Sequence, residues 1–205
     1  MRLHPITAQS FAIIDREIGP YPWKPQEYAI VRRAIHATAD FDLGHLFRFS
    51  EGAIASGITA LQQQQPILVD VRMVQMGITS TLAKIGYGRD GGGTIACALD
   101  HAPPEVPAHT TRSAVGLQTL LQQHPTAIVV IGNAPTALLA LVDQVRRGQI
   151  KPTLVIGVPV GFVAVVEAKQ ALAETAIPQI QVKGRKGGSP VAAAIVNALA
   201  YLADA

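Results

Sequence analysis

From residue 66 onward the chain repeats one pattern: a short apolar run, a turn, then a longer stretch with helical spacing. Five such runs stand out, at 66–71, 94–99, 127–131, 153–156 and 179–182. They are apolar nearly throughout instead of alternating with polar residues, as strands covered on both faces must be. Strands that alternate with helices fold into a mainly parallel sheet, because each crossover helix has to return across one face of it. The expected fold class is therefore α/β: a mostly parallel five-stranded sheet with helices on both faces and an N-terminal helical segment.

The helices between the runs carry their own signals. Residues 134–147 follow Asn133 as N-cap, with Pro135 in the first turn and Leu138, Leu141, Val142 and Val145 on one face. Segments 111–123 and 162–174 are further helices. A last helix is capped by Ser189, with Pro190 at its first position and Val191, Ile195, Leu199 and Leu202 as its stripe. Ahead of the first run, segments 7–18, 25–38, 42–48 and 51–62 read as helices, with a breaker around Gly19, Pro20 and Pro22. No composition shift divides the 205 residues, which are read as a single domain spanning 1–205.

Composition excludes several classes. With 49% apolar and 15% charged residues the chain is not disordered. One cysteine, Cys97, excludes a disulfide scaffold and a cysteine-rich zinc module, and suits a reducing compartment. The longest apolar stretches, 125–142 and 152–166, are interrupted by Gly132–Pro135 and by Gly157, Pro159 and Gly161. A membrane span needs about 20 unbroken residues. Arg2, His4, Asp15, Arg16 and Glu17 leave no room for an apolar signal region, so the expected location is cytoplasmic and the expected partners include no membrane. The net charge is +3, and between Glu174 and Asp204 the only charges are Lys183, Arg185 and Lys186. A local basic cluster with few aromatics fits a small polyanion better than nucleic acid.

That cluster lies in Lys183-Gly-Arg185-Lys186-Gly-Gly-Ser189-Pro190, which leaves a strand and enters a helix. Glycine-exposed N–H groups, a helix N-terminus and three cations together make an anion site. The same placement also describes a solvated turn. Gly86, Gly88 and Gly91 spell a dinucleotide fingerprint but run into a strand instead of opening a helix, so a plain loop is the better reading. His36 follows Arg32 and Arg33 by one helical turn, and their charges would favour neutral imidazole, with Asp40 acting the other way. A boundary histidine on an amphipathic helix has the same pattern. His45, His101, His109 and His124 show no zinc spacing, and no metal site is expected. Asp70 ends the first run, at the edge where parallel sheets place their sites, and equally suits a helix cap. Arg112 and Ser113 open a helix as a further anion contact.

Seven collinear segments then make the chain recognisable. They are SFAII at 10–14, VRRAIHATAD at 31–40, PILVDVRMVQMGIT at 66–79, TRSA at 111–114, IGNAPTAL at 131–138, GVPVGFVAVVEAK at 157–169 and GRKGGSP at 184–190. Together they resemble the precorrin-8X methylmutase (cobalt-precorrin-8 methylmutase, precorrin isomerase) family of cobalamin biosynthesis. The loop 86–109 matches least. The resemblance implies an isomerase that moves a methyl group from C-11 to C-12 of a contracted tetrapyrrole without a cofactor. It places the family's catalytic histidine, a proton donor and acceptor, on His36. It places substrate contacts on Ser10, Arg33, Thr79, Arg112, Ser113, Lys183, Arg185 and Ser189. It also implies a homodimer with the site near the subunit interface. A non-enzymatic tetrapyrrole carrier would use the same arginines and glycine turn but would have no need of His36.

Overall fold

The structure is a computed structural model and describes residues 4–89 and 92–204. Gly91 of the fingerprint spelling lies outside them. The chain opens with helices α1 (Pro5–Glu17), α2 (Pro25–Thr38) and the one-turn α3 (Leu43–Leu46), followed by strand β1 (Phe47–Phe49) and helix α4 (Ala53–Gln62). Next come β2 (Ile67–Val69), α5 (Arg72–Leu82), β3 (Ile95–Cys97), α6 (Arg112–Gln123), β4 (Ile128–Ile131) and α7 (Pro135–Arg146). The last elements are β5 (Leu154–Gly157), α8 (Val165–Ala173), β6 (Gln179–Val182) and α9 (Ser189–Ala203).

The five expected strands are present and mutually parallel, but the sheet has a sixth. Its order is β1-β6-β5-β4-β2-β3, with β1 antiparallel to β6 at the edge. The expected helix over 42–48 therefore stops after one turn. Phe47 and Phe49 point into the core while Arg48 points out, a two-residue period that only a strand satisfies. Phe47 is opposite Val182, and the Lys183 N–H donates to Leu46 O at 2.8 Å, prolonging the pairing by one bond.

Both faces of the sheet are covered. Ile67, Val69, Ile128, Val130, Leu154, Ile156, Ile180 and Val182 join one core with α1, α2, α4, α5 and α9. Leu68, Val129, Ile131 and Val155 join the other with α6, α7 and α8. This is why the runs do not alternate: each strand residue has a core to enter. Helix α9 is buried on nearly every side and packs against α2, α4 and α5. Its alanines meet glycines. A Cβ on Gly77 would lie 2.8 Å from Ala193 Cβ, and one on Gly132 would lie 3.0 Å from both Ala192 Cβ and Ser189 Cα.

Three helix starts differ from expectation, each for a local reason. Helix α7 is preceded by Ala134, not capped by Asn133. Asp70 instead holds the turn that leads into it, accepting from the N–H groups of Gly132 at 3.0 Å and of Asn133 and Ala134 at 2.7 Å each. Helix α9 has Gly188 at its N-cap position, at φ 110°, and Ser189 sits buried in the first turn. Helix α8 begins at Val165 because Ala164 takes a left-handed conformation, φ 57°, so Phe162 and Val163 stand 84% exposed in the preceding turn. Among the described residues no helix is long and apolar enough to cross a membrane.

Asp70 is fully buried, and burial pushes its carboxyl above the usual range while the backbone N–H donors oppose that shift. Asp70→Asn replaces one acceptor oxygen with an NH₂ that faces N–H groups. The expected loss is about 2–4 kcal/mol of unfolding free energy, measured by urea denaturation, because a buried donor is left without an acceptor. An unchanged midpoint would show that the loop after β4 does not depend on this carboxylate.

Candidate active site

Because β2 to β6 are parallel, their carboxyl ends open onto one edge of the sheet, where α/β folds assemble sites. The turn 183–188 follows β6, the turn 158–164 follows β5, Gly132–Ala134 follow β4, and the loop leading to Arg112 follows β3. Four strand spacings of about 4.8 Å separate the first of these from the last, roughly 20 Å. Arg185 and Arg112 thus stand at opposite ends of a wide edge, with Ser189 between them beside Gly132.

Helix α2 runs antiparallel to α9 and brings its C-terminal end to the same edge. Arg33 lies over the ring of Tyr201 near the end of α9, at 4.5 Å, and Asp40 just past the end of α2 meets Lys186 just before α9. His36 lies between these two contacts along α2. Its Nδ1 is 2.8 Å from Ser10 Oγ on α1, and the ring of Phe11 stands edge-on to it at 5.4 Å. His36 is exposed, and its Nε2 makes no hydrogen bond to a described residue. A hydroxyl either donates or accepts, so Ser10 is compatible with both neutral tautomers and with a proton arriving at or leaving Nε2.

The electrostatics of His36 are resolved in one direction. Partial burial lowers its pKa below the ordinary value, and the Arg33 guanidinium lowers it further. Neither Arg32 nor Asp40 contributes as the sequence suggested. Arg32 is held by Asp15 at 2.8 Å and lies over the Phe11 ring at 4.5 Å. Asp40 is engaged by Lys186 at 2.7 Å. A cavity of about 120 Å³ adjoins this cluster, lined by Phe11, Arg32, Arg33 and Tyr201 among others.

The basic turn is less cationic than its spelling. Lys186 donates to Asp40 and to Asp42, the latter at 2.6 Å, so of the three cations only Lys183 and Arg185 remain for a ligand. The ion pairs raise the pKa of Lys186 and lower that of Asp42. Arg185 lies 5.5 Å from the centre of the exposed Phe162 ring, which sets an apolar surface beside a guanidinium.

The remaining candidates are placed as follows. Thr79 is exposed on α5 and donates to Gln75 O at 2.7 Å. Arg112 is exposed at the start of α6 and donates to Leu99 O at 3.4 Å, while Ser113 is buried in the first turn of that helix. Thr111 caps α6 by accepting from the Ala114 N–H. Direct contact joins Ser10 to His36; Thr79, Arg112 and Ser113 are held by their own neighbourhoods. Cys97 is buried, and burial pushes its thiol up, as in a structural thiol. Among the described residues no group of three His, Cys, Asp or Glu could hold a metal ion.

Sequence reasoning passed over Phe11, Tyr201 and Lys169. Lys169 on α8 is 4% exposed, and its Nζ donates to Gly184 O and Lys186 O at 2.7 Å each. The available signal was its position on the apolar stripe of Val165, Ala168 and Leu172, where a lysine is out of place.

Residues 5–202 match the family model for precorrin-8X methylmutase. The cobalt-precorrin-8 methylmutase of Synechocystis sp. is 50% identical over 214 residues, covering 98% of this chain and 96% of that one. The precorrin-8X methylmutase of Pseudomonas aeruginosa is 41% identical over 204 residues, covering 95% and 93%. The crystal structure of precorrin-8X methyl mutase from Thermus thermophilus superposes with a TM-score of 0.87 at 44% identity, covering 98% of each chain. A fold and a sequence shared along nearly their whole length place this chain in the precorrin-8X methylmutase family.

Proposed function

We propose that the chain is an isomerase that moves a methyl group from C-11 to C-12 of precorrin-8X or cobalt-precorrin-8 during corrin-ring construction. Family membership over residues 5–202 carries this reading. In it, His36 is the proton donor and acceptor. Its Nε2 faces the macrocycle near ring C, while Ser10 holds Nδ1 in whichever tautomer the step requires. The methyl shift is intramolecular and needs no electron carrier. The demand on the protein is one placed acid/base and a surface that favours the tautomer able to rearrange.

Substrate binding follows from the width of the sheet edge. A macrocycle rimmed with carboxylates can be held by groups spread over the roughly 20 Å of that edge. In this reading Lys183 and Arg185 hold arms at one end and Arg112 and Ser113 at the other, with Ser189 between them, while Thr79 and Arg33 are further contacts beside the C-terminal half of α9. Arginine suits a carboxylate because its donors are planar and paired. Phe162 beside Arg185 offers the ring an apolar face.

The chain acts as one domain and as a homodimer in the cytoplasm. Met73 and Met76 on α5 are 67% and 71% exposed, and a second subunit would cover such an apolar surface. The double variant Met73→Glu, Met76→Glu should sediment as a monomer; an unchanged dimer would move the interface elsewhere.

Turnover is to be followed by absorption spectra with precorrin-8X and with cobalt-precorrin-8. His36→Ala should still bind substrate within about 3-fold and lose the methyl shift by about 10²-fold or more. Near-normal turnover in that variant would favour the carrier reading. Since His36 is held below about 6.5, wild-type turnover should fall on the acid side as the imidazole gains a proton. Arg33→Gln removes a neighbouring positive charge, so that acidic limb should move to higher pH. A limb that stays in place would exclude His36 as the titrating group. Arg112→Gln and Arg185→Gln should each weaken binding by about 5-fold, and the loss should shrink with added salt because exposed charges are screened. Full affinity in both at low salt would remove those arginines from the site.

A further inference from the structure

A buried lysine is costly unless something in the structure needs it, and a methionine would fill the same space without a charge. Lys169 has no carboxylate partner among the described residues; its acceptors are the carbonyls of Gly184 and Lys186. Burial lowers its pKa to about 8. What the two hydrogen bonds do becomes clear from peptide geometry. The described peptide bonds are all trans, and in a trans peptide the C=O and the following N–H point in opposite directions. Drawing the carbonyls of residues 184 and 186 inward therefore turns the N–H groups of Arg185 and Gly187 outward.

Neither of those N–H groups donates to any described residue, whereas the next, Gly188, donates to Val158 O at 2.8 Å. Gly187 has φ 149°, and a Cβ there would lie 2.3 Å from Val158 O, so only glycine lets the turn pass this carbonyl. The pair lies just before the N-terminus of α9, whose partial charge is positive, and Lys183 and Arg185 flank it. Outward N–H groups of one turn, here two residues apart, can converge on a single anion. The Asp40 and Asp42 carboxylates that share the region are occupied by Lys186.

We propose that Lys169 is a positioning residue: by holding the turn from behind, it presents the Arg185 and Gly187 N–H groups as a paired donor for one carboxylate arm of the substrate. The inference rests on the reading of the chain as acting on a polycarboxylate tetrapyrrole. It assigns the basic turn's recognition to two backbone groups, with the Lys183 and Arg185 side chains as outer guides.

The test uses the full chain, precorrin-8X as ligand, and the variants Lys169→Met and Lys169→Arg. Lys169→Met should raise KM by about 10-fold, the size expected when a charge-assisted hydrogen bond is lost, with kcat within about 2-fold. Lys169→Arg, which keeps a charged donor, should recover most of the affinity. In the wild-type protein the backbone amide resonances of Arg185 and Gly187 should move on saturation with precorrin-8X. Normal KM in Lys169→Met overturns the proposal, as does a fall in activity that only follows the amount of folded protein. If Lys169→Met does not fold, the wild-type amides decide: resonances that stay in place under saturating ligand overturn it. Wild-type protein that neither binds nor converts precorrin-8X would instead overturn the proposed function itself.

Discussion

The packing around α9 is the constraint on which the rest of the molecule depends. This helix is apolar on nearly every side, and it is flanked by α2, α4 and α5 while it covers β4 and β5. Its alanines let Gly77 and Gly132 approach to distances that a Cβ would forbid. Close approach converts a hydrophobic contact into a positional one. With no slack between α9 and its neighbours, the N-terminus of α9, the loop after β4 and the course of α2 are set relative to one another. The proposed site lies where these three meet.

On this frame the turn after β6 is fastened from two sides by different physics. From behind, a desolvated ammonium holds two carbonyls. In front, Lys186 spans to Asp40 and Asp42. Those ion pairs are largely exposed, and pairs of that kind contribute little to stability. Their effect is on position, since they join the end of the helix that carries His36 to the turn that carries Arg185. They also lower the positive charge of the turn, leaving its field to two side chains and the backbone.

Much of the fold was legible because buried parallel strands leave an unmistakable apolar run, and five of six strands did so. Strand β1 was hidden by its length. Phe47-Arg48-Phe49 has the alternation of an edge strand, but three residues after a helical turn are too few to establish a period. The start of α7 was hidden for a different reason: Asp70 holds the turn before it from just past β2, 62 to 64 residues away in sequence, and no local pattern encodes that. Within the candidate site, His36 and its arginines were visible as a helical spacing. That Arg32 turns to Asp15, that Asp40 turns to Lys186 and that Ser10 meets the imidazole are tertiary facts. Lys169 was the one readable exception, a charge on an apolar stripe.

The pairing of β1 with β6 also sets an order of events for the growing chain. Phe49 and its partner Ile180 are separated by about 130 residues, which at synthesis rates of about 5–20 residues per second is a wait of roughly 7 to 26 seconds. Throughout that interval Phe47, Phe49 and the apolar faces of α1 and α2 have only one another and Trp23 to pack against, because β6 and α9 have not yet been made. Such long-range closure slows folding and leaves sticky surface open to other chains. The first quarter of the polypeptide therefore waits longest for its full set of native contacts, and helix α9 is what completes them.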